Sequence, residues 1–154
     1  MNAQVRRISL RILAREPLHT GRGGVLGQVL FCQGCCCGRE DKGFAAVPCD
    51  RMKETWKRLG LNQFIQLTIS GCLGPCDVAN VCCVMTRQAT IWLGGLTLPE
   101  HYQRLIDWAI SCAKTKTLQP LPELLQRHIF RRFNALSPGR FPRGDEKQRL
   151  DSLR

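Results

Sequence analysis

Short stretches in which apolar and polar residues alternate predict the strands of this chain. The clearest stretch covers residues 64–69, where Ile65, Leu67 and Ile69 fall on one face and Gln66 and Thr68 on the other. Three further apolar stretches have the length of a strand and lie at residues 28–31, 81–85 and 89–93. The pattern therefore predicts four short strands.

Two other stretches show helical spacing, and the first is predicted over residues 51–59. Asp50 is placed to serve as its N-cap, and Gly60 is placed to end it. Its apolar residues recur at positions i, i+4 and i+7, namely Met52, Trp56 and Leu59.

A second helix is predicted to follow Thr97. This residue would act as the N-cap, with Pro99 in the first turn and Glu100 completing a capping box. The apolar stripe of this helix consists of Tyr102, Leu105, Ile106, Ala109 and Ala113.

The predicted order of elements is β-α-β-β-β-α. The first two strands are joined through a helix and should be parallel by a right-handed crossover, whereas the last two should form an antiparallel hairpin. This is the thioredoxin-like arrangement. The sequence thus predicts an α/β fold with a mixed sheet, flanked by basic N- and C-terminal extensions.

The chain is expected to divide into one domain and its flanks. Residues 1–25 are predicted to be a basic extension and linker, and residues 26–114 the domain. Residues 115–136 are predicted to be an amphipathic helical extension, and residues 137–154 a disordered tail. The apolar stripe of the extension consists of Leu121, Leu124, Leu125, His128 and Ile129.

The net charge of +11 lies mostly in the flanks. Residues 1–25 and 119–154 each carry +4, and the segment between them carries +3. No aromatic interleaving or nucleic-acid motif accompanies these basic residues, so nucleic acid is not an expected partner. The chain has neither an apolar run long enough to span a membrane nor the apolar segment of a secretory signal, which predicts a cytoplasmic protein. The arginine-rich first 25 residues also resemble an organellar presequence, which is the alternative.

The ten cysteines cluster, and two groups of them follow predicted strands. Cys32, Cys35, Cys36 and Cys37 come after the first strand, and Cys72 and Cys76 after the second. Contiguous cysteines suit a disulfide framework poorly, whereas separated close pairs suit a metal or cluster. Because neighbouring parallel strands leave a sheet at the same edge, the two loops should meet in one four-thiolate site. The residues alone leave open which upstream cysteines take part.

The spacing C-x4-C, a gap of 34 residues and C-x3-C resembles the thioredoxin-like 2Fe-2S ferredoxins. That family includes the small cluster-bearing subunit of respiratory NADH dehydrogenases, and residues 31–37 and 70–84 carry the resemblance. The run Cys-Gln-Gly-Cys-Cys-Cys-Gly, which begins at Cys32, is similar to a stand-alone bacterial ferredoxin-domain branch. The respiratory subunits usually have a proline where Asn80 stands.

The resemblance implies a 2Fe-2S cluster that transfers single electrons to or from a redox partner protein. A homodimer is one oligomeric state compatible with it. The implied ligands are Cys32, Cys37, Cys72 and Cys76, with Cys35 or Cys36 as alternatives. No residue pattern for substrate turnover is visible, so the chain is expected to be an electron carrier rather than an enzyme.

Two other site chemistries remain open. A structural zinc site could use Cys32 and Cys35 with the two downstream cysteines, and would make the chain a metal-stabilised protein-interaction module. A thiol–disulfide oxidoreductase could use the C-x-x-C formed by Cys32 and Cys35. A helix that begins many residues later is poorly placed to activate such a thiol.

Two further iron–sulfur types are excluded. Glu40 stands where a plant-type ferredoxin has its third cysteine, and the three histidines are remote in sequence from the cysteine loops, which excludes a Rieske site. His101 is predicted to lie on the surface of the second helix. The other cysteines fall in helix starts or apolar runs and are expected in the core: Cys49, Cys82, Cys83 and Cys112.

Overall fold

The computed structural model describes residues 25–133. It contains five strands, which are β1 (Gly27–Cys32), β2 (Ile65–Ser70), β3 (Cys82–Thr86), β4 (Thr90–Leu93) and β5 (Ile129–Phe130). It also contains three α-helices, which are α1 (Cys49–Arg58), α2 (Pro99–Thr115) and α3 (Glu123–Gln126). Single 3-10 turns lie at Glu40–Lys42, Leu61–Gln63 and Cys76–Val78.

The strands form one mixed sheet in the order β2-β1-β3-β4-β5. The strand β1 pairs in parallel with β2 and antiparallel with β3, and β3 and β4 form an antiparallel hairpin. The predicted β-α-β-β-β-α order and the predicted strand directions are therefore confirmed, as is the mixed α/β thioredoxin-like fold. Because β1 lies second in the sheet, its C-terminal end has the loops of neighbouring elements on both sides.

Helix α1 joins the two parallel strands and buries the side that faces the sheet. Trp56 is 1% exposed, and its indole Nε1–H donates a hydrogen bond of 2.7 Å to the Ile65 carbonyl at the start of β2. Gly60 follows the helix with a φ of 62°, which confirms its role as the stop. The predicted N-cap was wrong, because Pro48 occupies that position and Asp50 lies in the first turn. An acidic residue is still favourable there, since it faces the positive end of the helix dipole.

Helix α2 packs against the sheet through the predicted stripe, which includes the buried Tyr102 and Leu105. Its predicted capping box was wrong, because the N-cap is Leu98 rather than Thr97. The side chain that reaches back belongs to His101, whose Nδ1 accepts the Leu98 N–H at 3.3 Å. His101 is 3% exposed, so the prediction of a surface position was also wrong.

The segment after α2 folds back onto the sheet. Its helix, α3, has only four residues, whereas the apolar stripe predicted a longer one, and β5 then adds a fifth strand against β4. Leu121 and Leu125 are buried in the common core.

No helix within residues 25–133 is long and apolar enough to cross a membrane. The predictions of a basic N-terminal extension and a disordered C-terminal tail concern residues outside the described range, apart from Val25.

Candidate metal centre

The two cysteine-bearing loops meet at one edge of the sheet. Cys32 ends β1 opposite Ser70, which ends the parallel neighbour β2. The chains remain in contact beyond the strands, because the Gln33 N–H donates to the Ser70 carbonyl at 3.0 Å. A Cβ added to Gly34 would lie 3.5 Å from the Cys72 nitrogen, so the loop backbones are nearly in contact. The parallel register therefore brings the first cysteine loop beside the second.

Four sulfurs form an outer group near solvent. The Cys35 Sγ lies 3.0 Å from that of Cys76 and 3.3 Å from that of Cys72. The Cys72 and Cys76 sulfurs are 3.4 Å apart. Cys36 joins the group, since the sulfurs of Cys35, Cys36 and Cys76 all lie within 4.8 Å of one another. Cys35 and Cys72 are exposed, and the other two are partly exposed.

Two further sulfurs form an inner pair. Cys32 is 2% exposed and Cys37 is 1% exposed, and the Cys32 thiol lies close enough to raise the pKa of Cys37. Each sulfur also accepts a backbone N–H at 3.4 Å, that of Cys32 from Leu73 and that of Cys37 from Val81. Backbone donors of this kind stabilise a thiolate that binds a metal and tune the metal's properties.

Burial and neighbouring thiols oppose the ionisation of two of these cysteines, Cys37 and Cys76. Burial, followed by the neighbouring Cys32 thiol, raises the pKa of Cys37 to about 12. The hydrogen bonds with Cys35 and then Cys72 raise the pKa of Cys76 well above its usual range. A bound metal ion reverses this preference, because it stabilises the thiolate and releases the proton. The cysteines are soft sulfur donors that would bind a metal as thiolates.

Asn80 braces the first cysteine loop and is a site residue that sequence reasoning missed. It is 2% exposed, and its Oδ1 accepts the Gly38 N–H at 2.9 Å, immediately after Cys37. The next residue, Val81, donates to the Cys37 sulfur. Adjacent residues before β3 thus hold Cys37 and Gly38. The one signal in the sequence was the departure from the proline that the respiratory subunits have at this position.

Basic side chains also surround the cysteine loops. The Lys42 Nζ donates to the Cys35 carbonyl at 2.9 Å. Arg39 forms an exposed ion pair of 2.6 Å with Asp41. Arg132, which is distant in the sequence, lies directly over Gly74 in the second cysteine loop.

The structure thus places the implied ligands in two pairs, with Cys32 and Cys37 inside and Cys72 and Cys76 outside. The Cys35 sulfur contacts the outer pair, whereas Cys32 and Cys37 are both buried. Helix α1 begins at Cys49, whose pKa is raised by burial rather than lowered by the helix end. The prediction that the remaining cysteines lie in the core is confirmed, since all four are at most 4% exposed: Cys49, Cys82, Cys83 and Cys112.

Comparison with known proteins gives a weak structural similarity. No protein-family model and no curated protein sequence matches the chain. Among solved structures, it is similar to the wild-type thioredoxin-like 2Fe-2S ferredoxin from Aquifex aeolicus, with 14% identity and a TM-score of 0.38. The match covers 70% of this chain and 99% of that one. At this identity and TM-score, the likeness identifies neither a cofactor nor a function.

Proposed function

We propose that the chain is a 2Fe-2S ferredoxin-like carrier of single electrons. Four cysteines would bind the cluster, namely Cys32, Cys37, Cys72 and Cys76. The observation that carries the proposal is the meeting of two thiol pairs at one sheet edge. The buried Cys32 sulfur accepts the Leu73 N–H of the second loop at 3.4 Å, and the sulfurs of Cys72 and Cys76 lie 3.4 Å apart. Clusters of this type take four cysteine thiolates, and two pairs would supply two for each iron.

The surroundings of the inner pair favour it over Cys35 and Cys36 as the first set of ligands. The Leu73 and Val81 N–H groups donate to the Cys32 and Cys37 sulfurs, so both negative charges would be stabilised by fixed dipoles. The bound cluster would supply the one-electron chemistry. This chain's part is to hold four thiolates, donate backbone hydrogen bonds to two of them and keep the outer pair near solvent.

A structural zinc site is the second candidate, and the spacing of the outer sulfurs favours it. The sulfurs of Cys35, Cys72 and Cys76 are 3.0–3.4 Å apart. Tetrahedral zinc with Zn–S bonds of about 2.3 Å requires sulfurs roughly 3.8 Å apart, so a small expansion would admit the ion. Cys36, whose sulfur lies within 4.8 Å of those of Cys35 and Cys76, would replace Cys32 of the sequence-based zinc set as the fourth ligand. The chain would then be a zinc-stabilised interaction module.

The same chemistry supports a proposal for the compartment and for the partner. All ten cysteines are free thiols, which supports a reducing compartment such as the cytoplasm. An electron carrier also needs a redox partner protein, and the exposed outer thiols would bring the cluster close to it.

Metal analysis of the full-length protein, purified without oxygen, tests the proposal. About two irons and two acid-labile sulfides per chain are expected, with a visible spectrum that bleaches on addition of dithionite. Zinc in a one-to-one ratio, persisting after anaerobic reconstitution with iron and sulfide, would instead establish the zinc site.

Serine variants test the ligand assignment. Cys37→Ser should lose most of the bound iron, whereas Cys35→Ser should retain it. Cys83→Ser is the matched control, because Cys83 is also buried, at 3% exposure, but lies in the middle of the sheet. Retention of the cluster in Cys37→Ser together with its loss in Cys35→Ser would contradict the assignment of the inner pair.

A further inference from the structure

The guanidinium of Arg132 occupies the space in which a side chain at Gly74 would lie. A Cβ built on Gly74 would be 2.5 Å from the Arg132 Nη2 and 3.5 Å from its Cζ. Gly74 stands between Cys72 and Cys76 and has a φ of +110°, which L side chains rarely adopt. Glycine at this position therefore permits both the turn of the loop and the approach of the arginine.

Two aromatic rings and the sheet hold Arg132 in place. The strand β5 brings the segment beside β4, where Phe130 pairs with Trp92. The Arg132 Cζ lies 5.6 Å from the centre of the Trp92 ring and 5.4 Å from that of the Phe133 ring. Both distances lie within the range of cation–π attraction. The positive charge is thus fixed in position beside the second cysteine loop.

The arginine has an unused donor and no anionic partner within the described part of the chain. Its Nε is buried and has no hydrogen-bond acceptor among residues 25–133. The four ion pairs in the same range use other residues. A buried donor without a partner is costly, and a fixed cation is stabilised by a nearby negative charge. The adjacent loop carries two of the thiols proposed to become thiolates.

We propose that Arg132 is a positioning residue that holds the Cys72–Cys76 loop and favours the reduced state of the site. The second part rests on the proposed function. Reduction transfers one electron from an external donor, such as dithionite, and makes the site more negative by one charge without forming or breaking a bond. A fixed cation stabilises the reduced state more than the oxidised one, so it raises the reduction potential.

Hydrogen exchange of the metal-free, reduced full-length protein tests the contact with the loop. Peptides covering residues 70–78 should exchange several-fold faster in Arg132→Gln than in the wild type, because the loop loses its cover. Arg131→Gln is the matched control, since it removes the same charge from the exposed neighbouring position. Equal exchange in all three proteins would overturn the positioning role.

Redox titration of the anaerobically reconstituted proteins tests the charge effect. In Arg132→Gln, the ratio of reduced to oxidised protein at a fixed potential should fall about tenfold, equivalent to about 59 mV for one electron. Arg132→Lys keeps the charge and should stay within about threefold of the wild type, as should Arg131→Gln. The charge effect would be overturned if Arg132→Lys had a reduction potential as low as that of Arg132→Gln. It would also be overturned if Arg131→Gln and Arg132→Gln shifted the reduction potential equally.

The two measurements separate this inference from the proposed function. A wild-type protein that binds no iron and sulfide would refute the cluster and, with it, the effect of Arg132 on the potential. The exchange measurement needs no cluster and would still decide whether Arg132 holds the loop. If the Arg132→Gln protein does not take up iron, the exchange measurement still tests whether Arg132 holds the loop.

Discussion

Replacement of Asn80 by alanine should destabilise the protein strongly, because this amide joins the first cysteine loop to α2. Its Oδ1 accepts the Gly38 N–H at 2.9 Å, and its Nδ2 donates to the Ala45 carbonyl at 2.8 Å. The same nitrogen lies 3.3 Å from the Leu96 carbonyl and 3.2 Å from the Tyr102 hydroxyl. One buried side chain thus satisfies polar groups from three parts of the chain.

The magnitude follows from the groups that would lose their partner. The Leu96 carbonyl keeps the Tyr102 hydroxyl as a donor at 2.7 Å, so it remains satisfied. The Gly38 N–H and the Ala45 carbonyl would lose the bonds that Asn80 makes to them, and each unsatisfied buried group costs about 1–3 kcal/mol. Both bonds are only part-buried, so we expect Asn80→Ala to lower the free energy of unfolding by about 2–4 kcal/mol. This is a large part of the roughly 5–15 kcal/mol of a typical domain.

Urea unfolding of the metal-free protein in the presence of a reductant, followed by far-ultraviolet circular dichroism, measures this change. Asn62→Ala is the matched control, because the Asn62 Oδ1 accepts the Leu67 N–H at 3.0 Å in an exposed setting. Its loss should cost about 0.5–1.5 kcal/mol. The reasoning is refuted if Asn80→Ala is no more destabilising than Asn62→Ala.

Two further predictions concern the stability of the metal-free protein. Gly94→Ala should lower the free energy of unfolding in urea by about 1–3 kcal/mol, because its Cβ would lie 2.9 Å from the Val78 carbonyl oxygen. The control Gly71→Ala should be nearly neutral, since a Cβ there meets nothing within 4 Å. Equal losses of unfolding free energy in the two variants would contradict this prediction. Burial and then the nearby His128 lower the pKa of His101, so the unfolded chain binds its proton more readily than the folded chain does. The stability that this histidine contributes is present above pH of about 6.5 and is lost as the pH falls. The free energy of unfolding should therefore fall less in His101→Gln than in the wild type when the pH is lowered from about 7.5 to about 5.5. The same pH dependence in both proteins would contradict this role of His101.

The order and direction of the strands could be predicted because they depend on local patterns. Alternation at residues 64–69 and helical spacing from Met52 to Trp56 are properties of short windows. A helix between two strands then requires a crossover, which makes those strands parallel. The helix caps were less predictable, since Thr97 and Leu98 are adjacent and the choice depends on backbone angles near the buried His101. The strand β5 has only two residues and forms through its pairing with the distant β4.

The meeting of two cysteine loops at the same end of the sheet could be predicted from local sequence patterns. That result needs only the positions of Cys32 and Cys72 after two strands and the parallel pairing of those strands. Which sulfurs meet depends on the conformation of the folded loop, because that conformation buries Cys37 and exposes Cys35 although they are two positions apart. The tertiary structure also brings Asn80 and Arg132 to the loops from distant positions. Such contacts depend on the packing of the whole chain, and a short window of sequence cannot predict them.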